Sequence, residues 1–174
     1  MVFKQQNFVS FLTFFALVFA LDAAVNAQER VAVEILPQIA SAKIVPTSFY
    51  FAGQSAPTQM RNSAVVRLGK DRHVVVGMVD TSGYSTEISD KYEGFLITDS
   101  PIVIGGKELA TGAYGFGFSN AGKLRIFDLS SKEIMAVETT NDKEMKRPRP
   151  LMMSVAEGSV RFYKGKNYAV ITAN

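Results

Sequence analysis

The sequence predicts an all-β protein, an antiparallel β-sandwich or small closed barrel of about 8–10 short strands with little helix. From residue 64 onward, short runs rich in β-branched and aromatic residues alternate with turns of glycine, asparagine or aspartate. The runs recur at a spacing of about 8–12 residues, which is typical of sandwiches and barrels. Within several runs apolar and polar residues alternate, as they do in a strand with one face buried.

The first predicted hairpin joins residues 64–68 to residues 72–79 through Gly69-Lys70-Asp71. Its second strand is apolar at nearly every position from Val74 to Val79. This pattern predicts a central strand that is buried on both faces.

The same pattern predicts eight further strands. They span residues 94–98, 101–104, 113–118, 123–128, 134–139, 151–155, 160–163 and 168–172. Alternation predicts which side chains form the core, namely Val74, Val76, Tyr114, Phe116, Phe118, Leu124, Ile126, Val160 and Phe162.

Three stretches interrupt this pattern. Residues 81–93 are polar and are predicted to hold one helical turn before Tyr92. Residues 140–147 offer Asn141 as a helix N-cap and are followed by Pro148, so we expect a short helix there. Residues 28–63 are expected to be an extended segment that packs on the domain, with a strand near residues 42–51 followed by a loop.

The amino terminus carries the features of an export signal. Lys4 precedes an apolar stretch from Phe8 to Leu21, and the small residues Val25 and Ala27 stand where signal peptidase requires them. We expect residues 1–27 to be a signal peptide and residues 28–174 to form one domain, whose main strands lie in residues 64–174. The domain is expected in the periplasm or outside the cell, with no stable membrane insertion after cleavage; an uncleaved anchor is the alternative.

Composition narrows the possible functions. The chain has no cysteine, which excludes disulfides, lipoprotein anchoring, thiolate metal sites and thiol nucleophiles. The net charge is +3, the basic residues are mostly scattered among acidic ones, and no nucleic-acid-binding motif accompanies them. We therefore expect no nucleic-acid partner.

Tyr114-Gly115-Phe116-Gly117-Phe118 places three aromatic residues on one face of a strand and two glycines on the other. Glycine weakens a strand, so Gly115 and Gly117 predict the close approach of another group. This face is a candidate ligand face. The alternative is that a side chain of the protein itself fills the space.

A second candidate is a basic surface formed by Lys143, Lys146, Arg147 and Arg149. These residues surround Pro148, and Glu144 lies among them. The run is suited to an anionic polymer or an acidic lipid surface, and its alternative interpretation is a solvated, extended connection.

Gly106-Lys107-Glu108-Leu109-Ala110-Thr111-Gly112-Ala113-Tyr114 resembles a hairpin of small secreted bacterial β-domains of unknown function. The resemblance covers about a tenth of the chain. It implies a hairpin from Gly106 to Tyr114 in a β fold, and it implies no catalytic residue.

Catalytic motifs are incomplete. Asp80-Thr81-Ser82-Gly83 has serine where the aspartic-protease motif needs glycine. The carboxylates of Asp80, Glu87, Asp90 and Glu93 lack the spacing of an EF-hand calcium loop. His73 is the only histidine, and Ser119 does not lie in a G-x-S-x-G elbow.

We therefore assign no catalytic residue, metal or cofactor from the sequence. The function predicted is that of an exported, non-catalytic binding, structural or interaction module of the cell envelope, with an envelope component or a protein as its partner. The alternative is a hydrolase that uses Asp80 and the neighbouring carboxylates of residues 80–93.

Overall fold

The computed structural model describes residues 32–174, which fold into fourteen strands and two four-residue helices. The first part of the chain forms β1 (Val33–Ile35), α1 (Gln38–Ser41), β2 (Ser48–Phe51), β3 (Gln54–Leu68), β4 (Arg72–Val79), α2 (Thr86–Ser89) and β5 (Gly94–Thr98). The middle forms β6 (Ile102–Ile104), β7 (Lys107–Leu109), β8 (Gly112–Ser119), β9 (Lys123–Phe127) and β10 (Glu133–Glu138). The last part forms β11 (Thr140–Asn141), β12 (Arg149–Ala156), β13 (Ser159–Gly165) and β14 (Asn167–Ala173).

The strands form two antiparallel sheets that pack face to face. The larger sheet has the order β1-β3-β4-β5-β8-β9-β10, with β2 paired to β3. The smaller sheet has the order β12-β13-β14-β6-β7, with β11 paired to β14. The sequence prediction of an all-β, sandwich-like fold is confirmed, and among the described strands there is no closed barrel.

The core between the sheets contains the side chains that alternation predicts. Val74, Val76, Leu124, Ile126, Val160 and Phe162 are fully buried there, Phe116 is 1% exposed, and Tyr114 and Phe118 pack on the cluster half-buried. β4 is buried on both faces, as predicted, because Val75 and Val79 belong to a second core on the opposite side of the larger sheet.

The second core makes the larger sheet a middle layer. The β2–β3 hairpin and the residues between β4 and β5 cover its outer face. The ring of Phe49 stacks on Phe95 with centroids 4.8 Å apart, and the ring of Phe51 stacks on Tyr92 at 3.9 Å. The interior is therefore built from two aromatic-rich layers, of which the sequence predicted one.

Residues 52–63 do not form the expected loop. Ala52 and Gly53 both have positive φ (49° and 87°), which is the type I′ turn that closes a two-residue hairpin, and β3 begins directly after it. The polar composition of residues 54–62 is compatible with a strand here, because most of β3 before Ser63 is exposed or half-buried. The one-helical-turn prediction for residues 81–93 is confirmed by α2.

The helix expected in residues 140–147 is absent. Thr140 and Asn141 pair with β14 instead, and the Asn141 amide donates to the side-chain oxygen of Asn167 over 2.8 Å. The Asp142 carboxylate accepts hydrogen bonds from the Glu144 backbone N–H (3.1 Å) and the Tyr163 hydroxyl (2.9 Å). An aspartate turn held by Tyr163 thus replaces the helical start.

The prediction of a hairpin from Gly106 to Tyr114 is also wrong. β7 pairs with β6 through a turn at Gly105 and Gly106, whereas β8 pairs with β5 and β9 in the other sheet. The chain changes sheets between Leu109 and Gly112. No helix of the described residues is long and apolar enough to cross a membrane.

Candidate functional site

The face of β8 that carries Gly115 and Gly117 is covered by the protein itself. A Cβ atom added to Gly115 would overlap the ring of Phe51, and one added to Gly117 would overlap the backbone carbonyl of Lys91. These contacts match the alternative in which the protein's own groups fill the space. The two glycines allow the second core to approach the sheet closely.

Three carboxylates of residues 80–93 have different partners, and the Asp90 side chain is exposed. Asp80 accepts a hydrogen bond from the Ser82 backbone N–H at 3.0 Å, which lowers the pKa of this exposed aspartate. Glu87 faces Lys91, one helical turn away, at 3.8 Å. Glu93 lies instead at the gap between the two sheets, where it pairs with Lys164. Within residues 32–174, no three histidine, aspartate or glutamate side chains are grouped so as to hold a metal ion.

His73 lies away from that loop and faces Asp99. The Asp99 carboxylate accepts the His73 backbone N–H at 2.8 and 2.9 Å, and its Oδ2 is 3.3 Å from the imidazole Nδ1. This contact fastens the start of β4 to the end of β5. His73 and Asp80 are at opposite ends of β4, so the structure does not bring them together.

The basic run of residues 143–149 lies beside other polar and cationic residues of the smaller sheet. Arg149 begins β12, where it pairs with Gly165, and this register brings the basic run beside the β13–β14 turn. A cleft of about 590 Å³ opens there. Its lining is formed by Phe118, Ser119, Asn120, Pro148, Arg149, Pro150, Lys164, Gly165, Lys166 and Asn167.

Lys164, which lines this basic cleft, forms an ion pair that joins the two sheets. Lys164 Nζ contacts Glu93 Oε1, and Glu93 Oε2 accepts the Phe118 backbone N–H at 2.9 Å. Burial lowers the pKa of the Lys164 ammonium. Because Glu93 already neutralises Lys164, this pair shapes the cleft and adds little net charge to it.

The uncompensated positive charge lies in and beside the cleft, because Arg149 and Lys166 line it and the other basic residues belong to the run just before Pro148. Lys143, Lys146, Arg147 and Arg149 are all exposed, and Lys166 stands at the tip of the β13–β14 turn, after Gly165 at a φ of 60°. In the part of the chain that the structure describes, none of these five side chains forms an ion pair. Their positive charge is therefore directed to solvent or to a ligand.

Sequence reasoning found the basic run but missed Lys164 and Lys166. Gly165-Lys166-Asn167 reads as an ordinary turn, and only the strand register shows that this turn lies beside Arg149. Asn120 and Asn167, which bring amide groups to the same cleft, were also assigned only to turns.

Comparison of the chain with protein-family models, with curated proteins and with solved structures gave no match. The class that the fold defines is an antiparallel, sandwich-like β protein with a basic cleft at one end of its smaller sheet.

Proposed function

We propose that this protein is an exported, non-catalytic binding module of the cell envelope, and that the basic cleft binds an acidic polysaccharide. The observation that carries the proposal is that Arg149 and Lys166, neither of which is in an ion pair among the described residues, line one cleft beside the exposed run 143–147. The carboxylates of residues 80–93, which the alternative hydrolase needs, have separate partners and do not form a comparable cluster.

The cleft offers each kind of contact that a charged sugar chain uses. Cations in and beside the cleft attract carboxylate or sulfate groups from a distance. Asn120, Ser119 and Asn167 supply donors and acceptors for hydroxyl groups, and Phe118 supplies an aromatic surface. A concave site with Pro148 and Pro150 in its wall suits a polymer strand better than a flat lipid surface.

Exchange of two cations of the cleft is expected to weaken polysaccharide binding. The K166Q/R149Q variant should bind polygalacturonate at least about tenfold more weakly than the parent, because two unpaired positive charges leave the lining of the cleft. The measurement is isothermal titration of the mature chain at low salt, and raising the salt concentration should weaken parental binding further.

Lys70→Gln is the matched control, since Lys70 is an exposed lysine in the β3–β4 turn, outside the cleft. Its affinity should equal that of the parent. Equal losses in the control and the double variant, or parental binding to phosphatidylglycerol vesicles without binding to polygalacturonate, would overturn the proposed ligand.

Export is proposed from the amino-terminal signal and has its own test. Protein isolated from its native host should begin at Gln28, because signal peptidase cleaves after the Val25/Ala27 pair. Amino-terminal sequencing and intact mass decide this. A chain that retains residues 1–27 and sediments with membranes would favour the uncleaved anchor.

A further inference from the structure

A second, smaller opening lies where β3 of the larger sheet meets β12 of the smaller one. This slot has a volume of about 130 Å³. Ile35, Leu36, Leu151 and Met153 supply apolar walls, and Arg61 and Arg149 line it as well. The two arginines come from different sheets and are far apart in the sequence.

Irregular pairing in both strands brings the arginines to the slot. In β3 the register shifts between Thr58, opposite Val79, and Ser63, opposite Gly77, so residues 59–62 bulge out of the sheet. In β12 it shifts between Arg149 and Met152. Bulges of this kind commonly redirect side chains beside functional sites.

The bulge in β3 is held by side-chain hydrogen bonds. Gln38 Nε2 and Ser63 Oγ both donate to the Met60 carbonyl oxygen, at 2.9 and 2.8 Å. Gln59 Nε2 donates to the Val79 carbonyl oxygen at 3.0 Å. These hydrogen bonds fix the backbone on both sides of Arg61.

The polar groups of the slot differ in whether they already have partners. The hydroxyl groups of Ser41 and Ser63 donate to the carbonyl oxygens of Leu36 and Met60. Among residues 32–174, Arg61 and Arg149 form no ion pair. Two positive charges beside apolar walls are what the slot offers a ligand.

We propose that this slot binds a carboxylate that carries a short apolar group, such as a short-chain fatty acid or the carboxyl terminus of a peptide. A guanidinium group matches the two oxygens of a carboxylate in a bidentate pair. The volume equals that of about four waters, which leaves room for a few carbon atoms beside Leu151 and Met153. A phosphate would turn a charged oxygen toward those apolar walls, where it would lose hydration.

The test uses the mature chain with three probes: butyrate, N-acetyl-glycyl-valine and the amide of that dipeptide. In amide-detected NMR titrations, butyrate and the free dipeptide should shift the signals of Arg61, Ala64 and Met152, and the dipeptide amide should not. Arg61→Gln should weaken butyrate binding at least about tenfold, and Arg61→Lys should weaken it less, because the charge remains but the bidentate fork is lost.

Arg67→Gln is the matched control, because Arg67 lies on the same strand and pairs with Glu34 outside the slot. Arg149 lines both sites, whereas Lys166 lines only the cleft and Arg61 only the slot. Lys166→Gln should therefore leave butyrate binding unchanged, and Arg61→Gln should leave polygalacturonate binding unchanged, so that each site is tested through a residue of its own. Equal binding of inorganic phosphate or of the dipeptide amide, or no shift at the slot with butyrate, would overturn the inference.

Discussion

Gly117→Ala is expected to lower the free energy of unfolding by about 3 kcal/mol or more. The added Cβ atom would overlap the backbone carbonyl oxygen of Lys91. A backbone group cannot rotate away as a side chain can, and the Tyr92 N–H next to it is fixed by a 2.9 Å hydrogen bond to the Ile88 carbonyl oxygen. The strand and the segment that covers it would have to separate. Urea unfolding followed by circular dichroism measures the loss.

Gly83→Ala is the matched control for this prediction. A Cβ atom at Gly83 would have no neighbour within 4 Å, and Gly83 does not have a positive φ. Its free energy of unfolding should stay within about 0.5 kcal/mol of the parental value. Similar small effects in both variants would mean that residues 80–93 do not pack on β8 as described.

Alternation predicted the strands of the core between the sheets because it depends on local sequence alone. The predicted bounds of Arg72–Val79 and Gly94–Thr98 are those observed, and the apolar run of β4 indicated burial on both sides. A strand with one face in the core and the other in water shows alternating apolar and polar residues. A strand with both faces buried shows a continuous apolar run.

The second core was not predictable in the same way. The polar first half of β3, including Pro57, reads as a loop. In the structure Pro57 lies within β3 and pairs with Ser48 of β2. Proline is normally found only at the edges and bulges of a sheet, so its presence argued against a strand here. The aromatic residues of β2 stand out in the sequence, but the local sequence does not predict that Phe49 and Phe51 stack on Phe95 and Tyr92.

The basic cleft was half predictable for a related reason. The run from Lys143 to Arg149 is a local charge pattern that composition reveals. The contribution of Lys164 and Lys166 depends on the pairing of β12 with β13, which is a long-range property of register. The position of Arg61 in the slot depends on the bulge in β3, and a bulge cannot be recognised reliably from the sequence.

Phe116→Ala is expected to cost about 3–5 kcal/mol of unfolding free energy, because a large buried ring is replaced by a cavity. Phe116 is 1% exposed, and its ring contacts Phe162 of the opposite sheet edge-to-face with centroids 5.1 Å apart. Gly94 beside it leaves room for the ring, since a Cβ atom there would lie 2.9 Å from it. Both sheets border the lost volume, so neither can fill it without moving the other.

Tyr50→Ala tests whether removal of any aromatic ring has this effect. Tyr50 lies on β2 and is 56% exposed, so its truncation removes little buried area and should cost less than about 1 kcal/mol. Parallel urea unfolding of both variants and the parent gives the comparison, with unchanged slopes as evidence that the same surface is exposed on unfolding. A loss of only a few tenths of a kcal/mol for Phe116→Ala would mean that the aromatic face of β8 is not enclosed by the smaller sheet, and that face would then become a candidate binding surface.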